Sequence, residues 1–444
     1  MKRLLMLVIL VFAIALTAGA QSAKSAVSNG AWTDLGSFGA GSIAYGVSAK
    51  GEVVTGTSAT QGGLGGAYDR GFRWTQAGGL QGLGFRPGDS DGTVRANSIS
   101  SDGSTIVGFY GHYPDCNPNC AFSWTLSGGF NILGAPPGGW YAPTPTGVSK
   151  DGSAIVGWAS FGSGSRSWLW TAAAGYLDLG TLKGGTASEA FGISPNGLVV
   201  VGYSDAADGY THAYRWMKSG MIDLGFFSGG DYSEARGAST NGSVVVGSAT
   251  TQGAYYPIAF RWTKPTGKVA LGVLPSKWWS IATGVSADGK TVVGYSGQNC
   301  CDWVAFRWTA TTGMQSLNDW LAAVGVDASS ANFYSAYGVT GNGNGVVGQL
   351  TNGDAYLALA TSNKTGAPTF SPKAGKYLGS VSVTLSHTSP NASIYYTTDG
   401  STPTVNSTPY TAPILVTVTT TIKAIAIVPG YTKSAVASGK YTIQ

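Results

Sequence analysis

The sequence predicts an all-β protein, a seven-bladed β-propeller closed by its own N-terminal strand and followed by a small β-sandwich. Three observations carry that expectation. A phrase of about 45 to 54 residues recurs through most of the chain, and repeats of that size are the signature of propellers and solenoids. Each copy holds four short strand patterns parted by turn signals, which is the content of one blade. The last copy lacks its fourth strand, while a stray copy of that strand stands near the N-terminus.

The chain opens with Lys2 and Arg3, an apolar run from Leu4 to Leu16, and Ala18-Gly19-Ala20. That reads as a secretory signal peptide over residues 1–20, too short to serve as a membrane span. A chain exported from Gln21 onward, secreted or held at the cell surface, is therefore expected, with no membrane span after cleavage. The formal charge is +5, falling to +3 without Lys2 and Arg3. So weak a balance, with no basic cluster, argues against nucleic acid as a partner.

The repeat covers residues 31–360. Its firmest word is Gly-x-Ser-x-x-Gly-x-x-x-x-Gly, read at Gly46, Gly147, Gly192, Gly237, Gly284 and Gly338, with a variant starting at Ser98. In the fourth copy the expected strands are Ala190 to Ile193, Leu198 to Gly202, His212 to Met217 and Met221 to Leu224. Ser194-Pro195-Asn196-Gly197 between the first two is a hairpin turn, because Asn-Gly tolerates positive φ. Trp74, Trp124, Trp170, Trp216, Trp262 and Trp308 recur at one place in strand three and are expected to pack between neighbouring blades. In the seventh copy Ala355-Tyr356-Leu357-Ala358 supplies strand three and nothing follows it. Trp32-Thr33-Asp34-Leu35-Gly36 carries the Asp-Leu-Gly phrase of strand four and completes the ring, removing the free edges.

These phrases bring a resemblance. Asp178-Leu179-Gly180-Thr181-Leu182, Gly192-Ile193-Ser194 and His212-Ala213-Tyr214-x-Trp216 resemble the HAF-repeat extracellular proteins, named for a His-Ala-Phe tripeptide. The tripeptide is degenerate here: Ala121-Phe122, Ala259-Phe260 and Ala305-Phe306 keep two of its residues. The resemblance implies secretion and repeat architecture and brings no agreed activity.

Residues 361–366 form a short polar linker. Residues 367–444 alternate apolar and polar at Val381 to Leu385, Ile394 to Thr397, Ile414 to Val418, Thr421 to Val428 and Lys440 to Ile443, the pattern of a β-sandwich. The block reads Pro368-x-Phe370-Ser371-Pro372, Tyr395-Tyr396-Thr397-Thr398-Asp399-Gly400-Ser401-x-Pro403 and Ile422-Lys423-Ala424-Ile425-Ala426. That wording closely resembles the chitobiase/β-hexosaminidase C-terminal domain, which implies an immunoglobulin-like accessory module of secreted, often carbohydrate-related bacterial proteins. No catalytic barrel accompanies it.

Chemistry is sparse. Gly343-Asn344-Gly345-Val346-Val347-Gly348 spells a dinucleotide fingerprint, but it is one more copy of the blade turn with no helix after it. His112, His212 and His387 are scattered and point to no triad. Asp89-Ser90-Asp91-Gly92 opens like a calcium loop and lacks the remaining ligands, so a turn is expected, with no metal and no cofactor. Cys116 and Cys120, and the adjacent Cys300 and Cys301, are expected to pair locally as disulfides in an exported chain. A four-thiolate zinc site would require non-neighbouring repeats to converge.

Two features remain as candidate sites. Glu189 and Glu234 stand three residues before the strand-one Gly in adjacent blades, in a column otherwise holding Ile43, Arg95, Thr144, Ile281 and Ser335. Paired carboxylates at a channel mouth are what a glycosidase requires, whereas solvated charges there are also common. The second feature is topological. Strand two-to-three loops and blade crossovers share one face, and both are variable and rich in aromatics: Trp140, Tyr141, Tyr232, Trp278, Trp279, Phe333, Tyr334 and Trp303. Flat rings on a rigid platform suit a sugar face or a protein partner. The leading expectation is a monomeric, non-catalytic binding protein for a glycan or protein. A propeller glycoside hydrolase or lyase, and a purely structural envelope protein, are the alternatives.

Overall fold

The computed structural model describes residues 32–444 apart from 63, 65–68, 113–115, 139, 163, 300–301, 325, 361–362, 390–391 and 428–430. The expected signal peptide and its cleavage point lie outside the described residues.

Repetition of one sequence phrase produces repetition of one sheet. Among the described residues, 32–360 form seven four-stranded antiparallel sheets, six of them taking their strands in sequence order. The fourth sheet comprises Ser188–Ile193, Val200–Asp205, Thr211–Met217 and Gly220–Gly225. Its second strand begins two residues later than the apolar pattern predicts. The seventh sheet takes Phe333–Val339, Gly345–Leu350 and Ala355–Leu359 from the end of the repeats and Trp32–Gly36 from the start. Trp32 sits opposite Ala358 in this antiparallel pair. The first strand of every sheet contacts the first strand of the next, and Phe333–Val339 contacts Ser42–Val47, so the first strands form the inner wall of a closed ring.

Three repeated bonds explain the repeated words. In each turn between strands one and two, a Ser or Thr hydroxyl accepts the backbone N–H five residues on, as Ser194 does from Val199 at 3.0 Å and Thr340 from Gly345 at 2.7 Å. The turns are also bonded to one another. Ala49 donates to Ser101, Asp102 to Lys150, Lys150 to Pro195, Asn196 to Thr240, Thr240 to Ala287, Ala287 to Gly341, and Gly341 back to Ala49. This circle of backbone hydrogen bonds passes through all seven turns, each bond contributing on the order of 1 kcal/mol. Finally, a buried serine at the start of strand one reaches the preceding sheet. Ser233 Oγ accepts from Ala213 N at 2.8 Å and donates to Gly225 O. Ser42 does the same across the seam, accepting from Ala355 N at 2.7 Å and donating to Gly36 O at 2.6 Å. The seam is therefore bonded as the joints into the fourth, fifth and sixth sheets are.

The glycine frame has a steric cause. A Cβ on Gly202 would lie 1.9 Å from Glu189 O, and on Gly247 1.9 Å from Glu234 O, so strand two passes too close to strand one for any side chain. Opposite that contact strand one carries a register shift in all seven sheets, between Ala190 and Gly192 in the fourth. Such a bulge re-aims the extra residue. The extra residues are Tyr45, Asn97, Thr146, Phe191, Arg236, Thr283 and Tyr337, and they face the ring's interior, where they meet neighbouring inner strands. Asn97 donates to Pro145 O and Thr146 to Ala190 O, both at 2.8 Å.

The deepest aromatic layer is Phe72, Phe122, Trp168, Tyr214, Phe260, Phe306 and Tyr356, all fully buried in strand three. The expected Trp series lies two positions further on. Its members join clusters that span neighbouring sheets, Trp216 packing among Val156, Leu179 and Val200. One element departs from the all-β expectation. A short helix, Leu317–Ala323, capped by Ser316, fills the crossover between the sixth and seventh sheets and buries Leu317, Trp320 and Leu321.

The tail contains a three-stranded sheet (Thr369–Ser371, Val381–Ser386, Ile414–Val416) and a five-stranded sheet (Gly375–Tyr377, Ala437–Ile443, Thr420–Ile427, Ser393–Thr397, Thr408–Pro409). Val383, Leu385, Ile422, Ala424 and Tyr441 form their shared core. The expected linker is shorter than its composition implies, because Asn363–Lys364 pair in parallel with Tyr431–Thr432 of the tail.

Candidate functional site

The two ends of the ring differ. At the turn end the seven hairpins are alike. At the loop end the crossovers and strand two-to-three loops bring together the variable side chains, and the inner wall there falls into an aromatic arc and a charged arc.

The aromatic arc runs through the sixth, seventh and first sheets. Trp303 is stacked between Tyr295 (centroids 4.8 Å, planes 12° apart) and Tyr334 (5.1 Å, 12°). Trp279 meets Trp303 edge-on at 5.7 Å. Tyr295 contacts Tyr337 at 6.0 Å, and Tyr337 contacts Tyr45 at 5.3 Å. The Trp303 Nε1 donor is buried without a hydrogen-bond partner among the described residues. Burial pushes the Tyr45 hydroxyl up to about 12, so these phenols are neutral donors at physiological pH.

The charged arc belongs to the fourth and fifth sheets. Glu234 is only 4 % exposed and fully engaged. Arg236 grips it through Nε (2.6 Å) and Nη2 (3.0 Å), while Tyr232 Oη and Ser248 Oγ donate at 2.9 and 3.1 Å. The Arg236 guanidinium also covers the Phe191 ring at 5.1 Å. Glu189 is different: it has no basic partner among the described residues. Burial pushes its carboxyl above the usual range and the Glu234 charge adds to the rise, while the Tyr203 and Ser165 hydroxyls oppose it. The pair predicted from the sequence thus has two different settings, Glu234 clamped by Arg236 and Glu189 a buried carboxyl biased toward holding its proton. On the far side of the wall Arg95 donates to buried Asp69 at 2.6 Å and covers Phe109.

The predicted aromatic residues divide sharply. Trp278 is 57 % exposed and Tyr141 51 %, with Tyr255 beyond them at 89 %. Trp278 is held by its backbone N–H bond to Gly297 O at 2.9 Å. Trp140, Tyr232, Trp303 and Tyr334 are half-buried. Two expectations are corrected. Trp279 (7 % exposed) and Phe333 (3 %) are packing residues. Trp279 is wedged against Tyr295 and Trp303, and Phe333 against Trp32 and Tyr356. Phe333 and Tyr334 are neighbours along one strand and point to opposite sides, so Phe333 goes inward while Tyr334 stays half-buried.

Cys120 is disulfide-bonded. The side chain of Cys116, and Cys300 and Cys301 entirely, lie outside the described residues. Asp89 is tied to Arg86 and to the Tyr110 hydroxyl (2.8 Å). His212 is enclosed by Asp223 and Asp208, each at 2.9 Å. No group of three or more potential metal ligands occurs among the described residues, and none of their helices is long and apolar enough to cross a membrane. One recurrent role escaped the sequence reading. The Arg of the Arg-Trp pair in strand three staples one sheet to the next turn: Arg215 to Gly242 O (2.9 Å), Arg261 to Gly289 O (3.1 Å), Arg307 to Gly343 O (3.2 Å). The repeated dipeptide was the available signal.

Residues 372–438 match the model of the chitobiase/beta-hexosaminidase C-terminal domain, well under half of the chain. No curated protein matches the chain. Among solved structures, TolB from Acinetobacter baumannii is similar at 14% identity and TM-score 0.38, over 70% of this chain and 81% of that one. An oligogalacturonate lyase from Vibrio parahaemolyticus is similar at 11% and 0.46, over 76% and 96%. The β-propeller domain of the Trilobed protease from Pyrococcus furiosus is similar at 8% and 0.43, over 70% and 91%.

Proposed function

We propose that the seven sheets are the blades of a closed seven-bladed propeller of HAF-type repeats, exported from the cell with its immunoglobulin-like tail. We propose further that it is a non-catalytic recognition protein whose loop end binds a glycan. The observation that carries this reading is Trp278, a large ring 57 % exposed whose backbone N–H is bonded to Gly297 O, at the end of the ring where Tyr295, Trp303 and Tyr334 stack. Trp is ordinarily mostly buried, so a rigidly presented one marks a contact surface. The neighbouring charged arc adds hydroxyls, a guanidinium and a carboxyl that suit a polyhydroxylated ligand.

The test is a glycan array and polysaccharide pull-down with residues 21–444 and with Trp278→Ala. Selective binding lost in the variant supports the reading, and the absence of any bound glycan overturns it. A second reading, hydrolysis of the same ligand, is favoured by the different settings of the two carboxyls, Glu189 raised by burial and Glu234 gripped by Arg236. Product released by the parent chain and not by Glu189→Gln would establish it in place of simple binding.

A further inference from the structure

The turn end of the ring carries a second feature, independent of the loop-end reading. A cleft of about 780 Å³ opens between the fourth and fifth sheets and reaches the turn of the sixth. Its apolar lining is Met217, Ile222, Val244, Trp262 and Pro265, and its cations are Arg215, Arg261 and Lys264. None of these three cations is ion-paired among the described residues. Arg215 spends Nε on Gly242 O and Nη1 on Met217 Sδ, and Arg261 spends Nε on Gly289 O, all uncharged acceptors. The one carboxylate on the rim, Asp288, lies 3.7 Å from Lys290 and accepts from Ser286 Oγ and Lys290 N. The equivalent cleft between the first and second sheets is smaller, about 510 Å³, and has one arginine, Arg73, and no tryptophan. The scaffold therefore does not demand the larger site.

Partly buried guanidinium groups facing only neutral acceptors leave charge uncompensated, and a carboxylate from outside would offset it. Burial alone lowers the Arg215 pKa, in keeping with that deficit. Arg215 and Arg261 occupy the same position in adjacent sheets, which pack roughly 10 Å apart. An extended segment covers that distance in about three residues, and its same-face spacings of two and four residues bracket it. The apolar floor between the cations asks for a hydrocarbon side chain and offers little to sugar hydroxyls.

We propose that this cleft docks an extended acidic peptide segment of a partner protein, with two carboxylates four residues apart and an apolar side chain midway between them, all on one face of the segment. The carboxylates meet Arg215 and the Arg261–Lys264 pair, and the apolar side chain enters the Met217–Ile222–Trp262 hollow.

The test is fluorescence polarisation with labelled ten-residue peptides carrying two Glu residues two, three or four apart around a central Leu. Matched Gln peptides and polygalacturonate serve as comparators, and the protein is residues 21–444. Lys264 and Ile222 are exposed at the rim, so Lys264→Glu and Ile222→Ser probe the cleft while leaving the Arg215 and Arg261 staples intact, with melting temperature as the folding control. The expected result is binding of one Glu spacing at least about tenfold tighter than its Gln counterpart, weakened by added salt. Each variant should reduce that binding by about tenfold at unchanged melting temperature. Failure of every Glu peptide to bind would overturn the proposal. So would binding indifferent to both variants, or polygalacturonate binding in the cleft with the Leu-centred peptides excluded. Glycan binding at the loop end is measured separately through Trp278→Ala, so either proposal can fail alone.

Discussion

The turn end and the loop end of the ring are built from the same strands and obey different rules. At the turn end seven near-identical hairpins are joined by a circle of backbone hydrogen bonds, and each Ser or Thr hydroxyl closes its own turn. At the loop end no circle of that kind recurs among the described residues, and side chains differ from sheet to sheet: Glu189, Glu234, Arg95, Ile281 and Ser335 occupy one column. Where geometry is held by repeated bonds, the sequence repeats. Where it is released from them, chemistry varies. The comparison locates the scaffold and the candidate site at opposite ends of one set of strands.

Breaking the scaffold should have the largest effect. Gly202→Ala places a Cβ 1.9 Å from a strand-one carbonyl, a backbone contact that no rotamer relieves. A loss on the order of 3 kcal/mol or more is expected, seen as a large fall in melting temperature or loss of soluble protein. Gly225→Ala is its counterpart in open space: with φ 63° and no atom within 4 Å, it should cost about 1 kcal/mol. Similar losses for the two would contradict the steric account.

The next contrast lies within one dipeptide. Trp279→Ala should destabilise by about 3–5 kcal/mol, the range for deleting a buried large aromatic. Trp278→Ala should leave the melting temperature within about half a kcal/mol of the parent while abolishing glycan binding. Thermal melts of the two variants side by side check this.

A pH series sharpens the charged arc. The folded pKa of Glu189 is raised, so its protonated form favours the folded state at low pH, and that contribution is lost as pH rises through the folded pKa. Glu189→Gln removes the cost of the buried anion. The variant should melt above the parent at pH 7 to 8 and converge with it below the ordinary glutamate pKa of about 4.3. A constant difference across the series would show that the proton is not involved. A comparably small effect is expected of Arg307→Lys, which loses the Nε–H bond to Gly343 O and the planar contact over Trp320. About 1 kcal/mol is expected, measured by urea unfolding.

Much of the ring was legible because its causes are local. The Ser-x-Asp/Asn-Gly turns, the four strand patterns and the orphan Trp32–Gly36 strand follow from turn chemistry, alternation and counting. The helix at Leu317–Ala323 was missed because seven residues leave too short a periodic signal beside so many strands. The bulge was missed because its cause is a neighbour: Gly202 matters through Glu189 O, a contact absent from the linear order.

The sequence by itself determined the repeat, its strand content, the strand that closes the ring and the column in which Glu189 and Glu234 stand. Those features rest on backbone preferences and on periodicity, which each segment carries alone. Only the tertiary structure decided that Arg236 clamps Glu234 and leaves Glu189 without a cation among the described residues, that Trp303 is stacked between Tyr295 and Tyr334, and that Trp278 faces out while Trp279 faces in. Each of those outcomes depends on which sheet lies next to which and at what distance, and burial, pairing and exposure are properties of that arrangement.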